Sequence, residues 1–306
     1  MYNVLNIHPT MNYRVKIFSS FCDSGHAKRS VEELVAYRGN GRQSAPITIV
    51  GNDDDSYTHV VIWNTAMPSI PEHIPKENVI GFAYEPMVYL NITDAFVAYA
   101  VTNIHTYYVG DADGLPPPFV EGNAYLTYSP PRLNHVPMKH SCMSMIVSHK
   151  NELSGHMYRH ALLEYILYHK LPIDIYGNGT QRNSYKGVTS DRIKGPFQQY
   201  EPYEGYLFSV CIENTQSNHY FSEKIINPLL SNTTPVYLGC DNIDTYFPNN
   251  VIQLKGDIDH DMNLLVNILR TPLKYRKNID ASTVEKRVSL VHNLARLYEA
   301  NNPAQC

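Results

Sequence analysis

Short apolar runs alternate with polar turns and amphipathic stretches along this chain. Arg14–Phe21 (RVKIFSSF), Ile47–Gly51, His59–Trp63 (HVVIW) and Val79–Ala83 predict strands. A turn at Ser24-Gly25-His26 leads into a helix over Ala27–Tyr37. Asp94–Asn103 and Tyr107–Val109 continue the pattern less legibly. The rhythm then restarts. Ser141–Val147 (SCMSMIV) predicts a strand, Gly155–His169 a helix, and Ile173–Tyr176 (IDIY) a strand closed by Gly177-Asn178-Gly179. Residues 180–205 read as a polar loop with one short helix. Tyr206–Leu254 follows as strand, polar turn, helix, strand and polar loop, and Asp259–Leu269 and Thr283–Glu299 as amphipathic helices.

Proline marks the join between the halves. Leu115–Phe119 is LPPPF and Ser129–Lys139 is SPPRLNHVPMK, runs that favour stiff, extended connections. The expected division is therefore 1–138 for an N-terminal α/β domain and 139–306 for a C-terminal α/β domain carrying the last helices. Strands alternating with helices at this spacing predict parallel sheets with crossovers. The fold class is α/β, two Rossmann-like domains facing a cleft.

Composition narrows the function. The chain has 306 residues, 43% apolar and 18% charged, enough to bury sizeable cores. A net charge of −4 gives no electrostatic case for nucleic acid or an anionic membrane. Five scattered cysteines (Cys22, Cys142, Cys211, Cys240, Cys306) without a C-x-x-C pair argue against a disulfide framework or a structural zinc site. No run is long and apolar enough for a membrane span, and no signal-peptide core opens the chain, so the expected location is cytoplasmic. The 24 tyrosines suit carbohydrate sites, although tyrosine is also a common half-buried structural residue.

The segment YLFSVCIENTQSNHYFSEKIINPLLSNTTPVYLGCDNIDTYFPNNVIQL, residues 206–254, concentrates the chemistry. Ligands of open α/β sheets sit at the carboxyl ends of strands, and anions favour helix N-termini. Glu213 and Asn214 follow a predicted strand; Tyr220, Glu223 and Lys224 open the predicted helix, where spacings of three and four share a face. A ring, a carboxylate and a cation together suit a phosphorylated, hydroxyl-rich ligand such as a sugar nucleotide. Loop or helix capping is the plainer reading of Glu213, and a plain turn that of Gly177–Gly179.

Glu213-Asn214-Thr215, Tyr220, Ser222-Glu223-Lys224, Pro235-Val236, Gly239 and Phe247-Pro248 together resemble the donor-binding signature of the α-1,3-fucosyltransferase family, glycosyltransferase family 10. The resemblance implies a GT-B fold, an L-fucose donor (GDP-fucose) and a glycan acceptor. It implies that Tyr220, Glu223 and Asn214 position the donor. Arg159, in HMYRHALLEYI, falls where the family's phosphate-binding arginine opens a helix, and with Lys224 it would neutralise the diphosphate. Another sugar nucleotide, such as a different GDP-sugar or UDP-xylose, and a non-catalytic nucleotide- or glycan-binding protein are the alternatives. Animal members carry an N-terminal Golgi anchor that this sequence does not show. Two departures from the pattern are His219, where an acidic residue usually precedes the tyrosine, and Pro228, expected to bend the motif helix or mark its first turn.

Glycosyl transfer also needs a base for the acceptor hydroxyl. Glu85, directly after the strand Val79–Ala83, is favoured; Asp111, Asp113 and Glu121 compete. Ser24, Gly25 and His26 form a possible acceptor loop. Asp53-Asp54-Asp55 and Asp111-Ala112-Asp113 resemble D-x-D metal motifs, but hard cations need several convergent oxygens. With two cations aimed at the diphosphate, no metal and no further cofactor are expected.

Overall fold

The computed structural model describes residues 12–37, 47–128, 137–181, 185, 189–198 and 200–302. The polar lead, most of the Ser129–Lys139 proline run, parts of 180–205 and Cys306 lie outside the described residues.

The first sheet contains β1 (Tyr13–Ser19), β2 (Ile47–Val50), β3 (His59–Trp63), β4 (Val79–Phe82), β5 (Thr106–Val109) and β6 (Phe119–Glu121), in the order β2-β1-β3-β4-β5-β6. All of its pairings are parallel. The second contains β7 (Ser141–Ile146), β8 (Ile173–Tyr176), β9 (Ile193–Gly195), β10 (Tyr206–Ile212), β11 (Thr234–Leu238) and β12 (Ile252–Gln253), in the order β12-β11-β10-β7-β8-β9, again parallel. Sheets covered on both faces require apolar runs rather than alternation, and β4 and β11 are buried at every position. Pro235 is tolerated inside β11 because β12 is only two residues long and pairs Val236 and Tyr237, beyond the proline.

Helices α1 (Ser24–Tyr37), α2 (Met87–Leu90) and α3 (Asp94–Asn103) follow strands of the first sheet. Helices α4 (Ser154–Tyr168), α5 (Glu201–Glu204), α6 (Glu223–Leu230), α7 (Ile258–Arg270) and α8 (Pro272–Tyr275) belong to the second half. The sequence expectation for 180–205 missed strand β9.

The predicted helix Thr283–Glu299 is two helices, α9 (Ala281–Val288) and α10 (Leu290–Asn301), parted at Ser289. A distant contact causes the break: Leu126 N–H donates to Val288 O while Leu290 N–H donates to Leu126 O, forming a parallel bridge at Ser289. Helix α10 then packs on the first sheet, not the second. Leu290, Leu294, Leu297 and Tyr298 join Val15, Ile17 and Val61 in one core, and Tyr298 Oη donates to Val60 O at 2.9 Å. The chain thus returns to the N-terminal unit after completing the C-terminal one.

No helix among the described residues is long and apolar enough to cross a membrane.

Candidate active site

Strand order in the second sheet reverses between β7 and β10, so the loops leaving these strands diverge and open a crevice. A cavity of about 540 Å³ fills it. Ile146 at the end of β7 and Ser148 after it, Ile212 at the end of β10 and Asn214 after it, His156 and Arg159 of α4, and Glu223, Lys224 and Asn227 of α6 line it. Tyr84 and Glu85, from the loop after β4, close it from the first sheet.

Glu213 organises the floor. Its carboxylate is 1% exposed and accepts Ser222 N–H at 2.8 Å and the Ser222 hydroxyl at 2.8 and 3.0 Å. Lys224 Nζ lies 3.3 Å from Glu213 Oε2 and 3.2 Å from Glu223 Oε1. Ser222 caps α6, its hydroxyl accepting Lys224 N–H. Burial would push the Lys224 ammonium down, but the two carboxylates outweigh it and its pKa is raised. Glu223 is likewise held ionised: burial pushes it up, and Lys224 with nearby donors brings the net shift down. Gly239 permits this packing, since a Cβ there would come within 2.5 Å of Glu213 Cγ.

Arg159 is buried rather than solvated. It lies in the second turn of α4, with Nε donating to Gly155 O at 3.3 Å and Nη2 to Asn214 Oδ1 at 2.5 Å. His156 supports the same amide oxygen: Leu153 N–H donates to Nδ1, which leaves Nε2 to donate to Asn214 Oδ1 at 3.1 Å. Burial and then the Arg159 charge hold His156 below its ordinary pKa, consistent with this neutral form. Burial also presses the Arg159 guanidinium down, with Glu213 and Glu223 opposing.

Glu85 is half-buried, and burial lifts its carboxyl above the usual value while Lys224 opposes the shift. The charges of Lys224, Glu223, Lys150 and Glu213 all reach it, so the loop after β4 and the α6 terminus share one electrostatic site.

Five of the expected residues therefore meet on the C-terminal wall, namely Arg159, Asn214, Tyr220, Glu223 and Lys224, with Glu85 facing them. One expectation needs correction. Tyr220 precedes α6, which starts at Glu223, so its approach comes from the loop and from His219 at φ 59°, not from helical spacing. Pro228 sits well inside α6 rather than in its first turn. His219 fits a local role of its own: its ring lies 2.6 Å from Tyr246 Oη and 3.2 Å from Glu121 Oε2, and its N–H donates to Asn242.

Ser24, Gly25 and His26 form the first turn of α1, outside the residues lining this cavity. Ser24 Oγ donates to Ile17 O, and Gly25 N–H to Asn52 Oδ1. Asp111 accepts Asp113 N–H in a local turn, Glu121 pairs with His219, and none of the three lines the cavity. Asp54 pairs with Arg14 and Asp55 with Lys16. Among the described residues no cluster of three His, Cys, Asp or Glu side chains is placed to hold a metal ion. Lys150, His156, Ser222, Tyr84 and Phe197 were not anticipated from sequence. Only Ser222, inside the quoted motif and preceding the helix, carried a usable capping signal.

Two all-parallel six-stranded sheets with a polar cleft at the carboxyl ends of their strands give the chain the GT-B architecture. The same fold occurs in an α1,3-fucosyltransferase solved with GDP-fucose, at TM-score 0.55 and 13% identity over 98% of this chain and 93% of that one. It occurs in a glycosyltransferase from Rickettsia africae (TM-score 0.52, 12% identity, 95% and 98% covered). An Anabaena protein in complex with UDP-glucose shares it too (TM-score 0.53, 8% identity, 94% and 98% covered). Residues 136–256 match the model of glycosyltransferase family 10 (fucosyltransferase), C-terminal part. The match covers the part of the chain that carries the second sheet and the α6 terminus.

Proposed function

We propose that this enzyme transfers L-fucose from GDP-fucose to a glycan hydroxyl, inverting the anomeric centre by single displacement. Glu85 takes the acceptor hydroxyl's proton as that oxygen attacks the anomeric carbon. The bond to the diphosphate breaks, and GDP leaves with its developing charge met by Arg159 and Lys224. Glu223, Tyr220 and Asn214 orient the donor. The observation that carries this reading is the position of Glu85. A lone half-buried carboxylate on the N-terminal side faces two buried or partly buried cations on the other, in one cavity. Burial raises its pKa, the direction that makes a carboxylate a better base. Cationic side chains supply the leaving-group neutralisation, so no metal enters the scheme.

Calorimetric titration with GDP and with UDP, chelator present, tests the donor. Tight GDP binding with weak UDP binding is expected, followed by turnover of GDP-fucose. The UDP-glucose complex of a protein with this fold keeps a second donor in view. Preference for UDP would retain the fold and overturn the fucose assignment. Binding of GDP with no sugar nucleotide turned over would instead indicate a binding protein. Glu85→Gln should abolish transfer and spare GDP binding, whereas full activity in that variant would remove Glu85 from the mechanism.

A further inference from the structure

Phe197 lies on the cavity wall, outside the 206–254 stretch that concentrates the motif residues. It follows the edge strand β9, and 36% of its surface is exposed. A single exposed phenylalanine is unremarkable by itself. This one, however, is held in place by a buried polar chain. Its ring meets Tyr176 edge-on, centroids 5.9 Å apart at 78°. Tyr176 Oη pairs with Tyr206 Oη at 2.9 Å, and Tyr206 donates to Asp174 Oδ2 at 2.7 Å. Asp174 is 5% exposed and also binds Arg192 at 3.0 Å, with Lys194 at 3.9 Å. Arg192 and Lys194 belong to the β9 segment itself, and Gly177 N–H donates to Gly195 O at 2.8 Å. The buried carboxylate thus ties down, from two directions, the segment that presents the ring to the cavity.

The rest of the cavity leaves one role open for that ring. Arg159, Lys224 and Lys150 supply the cationic end, and Glu223 stands ready for ribose hydroxyls. A nucleoside diphosphate carries, one ribose beyond its phosphates, a planar base that needs a π-face. We propose that Phe197 is the stacking platform for the donor's nucleobase, and that the Asp174–Tyr206–Tyr176 chain is the support that fixes its orientation. The inference rests on the nucleotide-sugar reading above and deepens it.

Binding of GDP and of inorganic pyrophosphate, measured by calorimetry on the full chain, separates base from phosphate. Phe197→Ala should weaken GDP about tenfold or more while leaving pyrophosphate unchanged, and Phe197→Tyr should restore GDP binding. Asp174→Asn, a positioning change, should weaken GDP and again spare pyrophosphate. Unchanged GDP affinity in Phe197→Ala would overturn the proposal, as would equal loss of both ligands. If the wild-type protein bound pyrophosphate but no nucleotide, the platform would be refuted with the phosphate site intact. If it bound neither, the donor reading itself would fall.

Discussion

Gly155→Ala is the substitution that most directly probes how the donor wall is assembled. Gly155 opens α4 against the end of β10, its N–H donating to Asn214 O at 3.1 Å. A Cβ at this position would stand 1.9 Å from Glu213 O and 2.8 Å from the Asn214 carbonyl, where real contacts are not shorter than 3.0 Å. Both obstacles are backbone, so neither can swing aside, and α4 must retreat by about 1.1 Å. Overpacking of this kind costs roughly 1–3 kcal/mol, and a rigid backbone opposite places this case near the upper end. At roughly 2–4 °C per kcal/mol for a chain of this scale, melting should fall by about 6–12 °C. Arg159 rides on the same helix, and its 2.5 Å bond to Asn214 would stretch out of range. Misplacement by an ångström costs about a hundredfold in activity. Scanning calorimetry, GDP titration and transfer rate together form the assay, with Gly51→Ala as control because the nearest atom to its Cβ would be Lys28 Cδ at 3.7 Å, an ordinary contact. Wild-type melting and GDP affinity in Gly155→Ala would refute the claim that this contact sets the arginine's position.

Lys224→Ala should weaken GDP by at least tenfold, because charge-assisted bonds to phosphate are among the stronger polar contacts; unaltered affinity in titration would remove the lysine from the site. Glu213→Gln keeps shape but sets an amide against the Lys224 ammonium or Ser222 N–H, so denaturant unfolding should report a loss of about 2–3 kcal/mol, discounted from a fully buried pair because Lys224 retains Glu223 and partial solvent. The pH profile follows from Glu85: a base must be deprotonated, so activity should fall as pH drops through a value above the ordinary carboxylate range. Bound diphosphate offsets the nearby cations, so the acid limb of kcat should lie at higher pH than that of kcat/KM; coincident limbs at the ordinary glutamate pKa would exclude Glu85 as the group observed.

How much of this site could be read from sequence depended on how local each cause was. Glu213 through Lys224 share one short stretch, so strand end, cap and helix start were visible as a block. The capping serine and its carboxylate were also within that block, yet Glu213 read as a capping group because its burial depends on Gly239 and Gly155, which lie elsewhere in the chain. Tyr220 was assigned a helical face it does not have, since nothing local signals that the turn at His219 delays the helix to Glu223. Phe197 and Lys150 carried no motif; strand order alone brings them to the cavity. The break at Ser289 was equally hidden, being imposed by Leu126 across the molecule. Local propensity within 283–299 is helical throughout, and a distant backbone bridge overrides it.

The candidate base and the cations it serves come from different sheets, so catalysis depends on how firmly those sheets are held together. Among the features that join the two halves of the chain are the Leu126–Ser289 bridge, the packing of α10, the core that Leu34 and Leu126 share with α6 and α9, and the Glu121–His219 contact beside Tyr220. Their magnitudes differ. Burying Leu290, Leu294, Leu297 and Tyr298 contributes roughly 1.5–3 kcal/mol for each large apolar side chain. A partly exposed pair such as Glu121–His219 contributes about 0–1 kcal/mol. Apolar packing, of the returning helix and of Leu34 and Leu126 against α6 and α9, therefore dominates the placement of Glu85 against Arg159 and Lys224, and the polar contact at His219 adjusts the loop that carries Tyr220. A C-terminal helix spent on the N-terminal sheet thus adds to the core that Leu34 and Leu126 share with α6 and α9, and the walls of the cleft are joined by apolar packing rather than by the polar contact at the mouth.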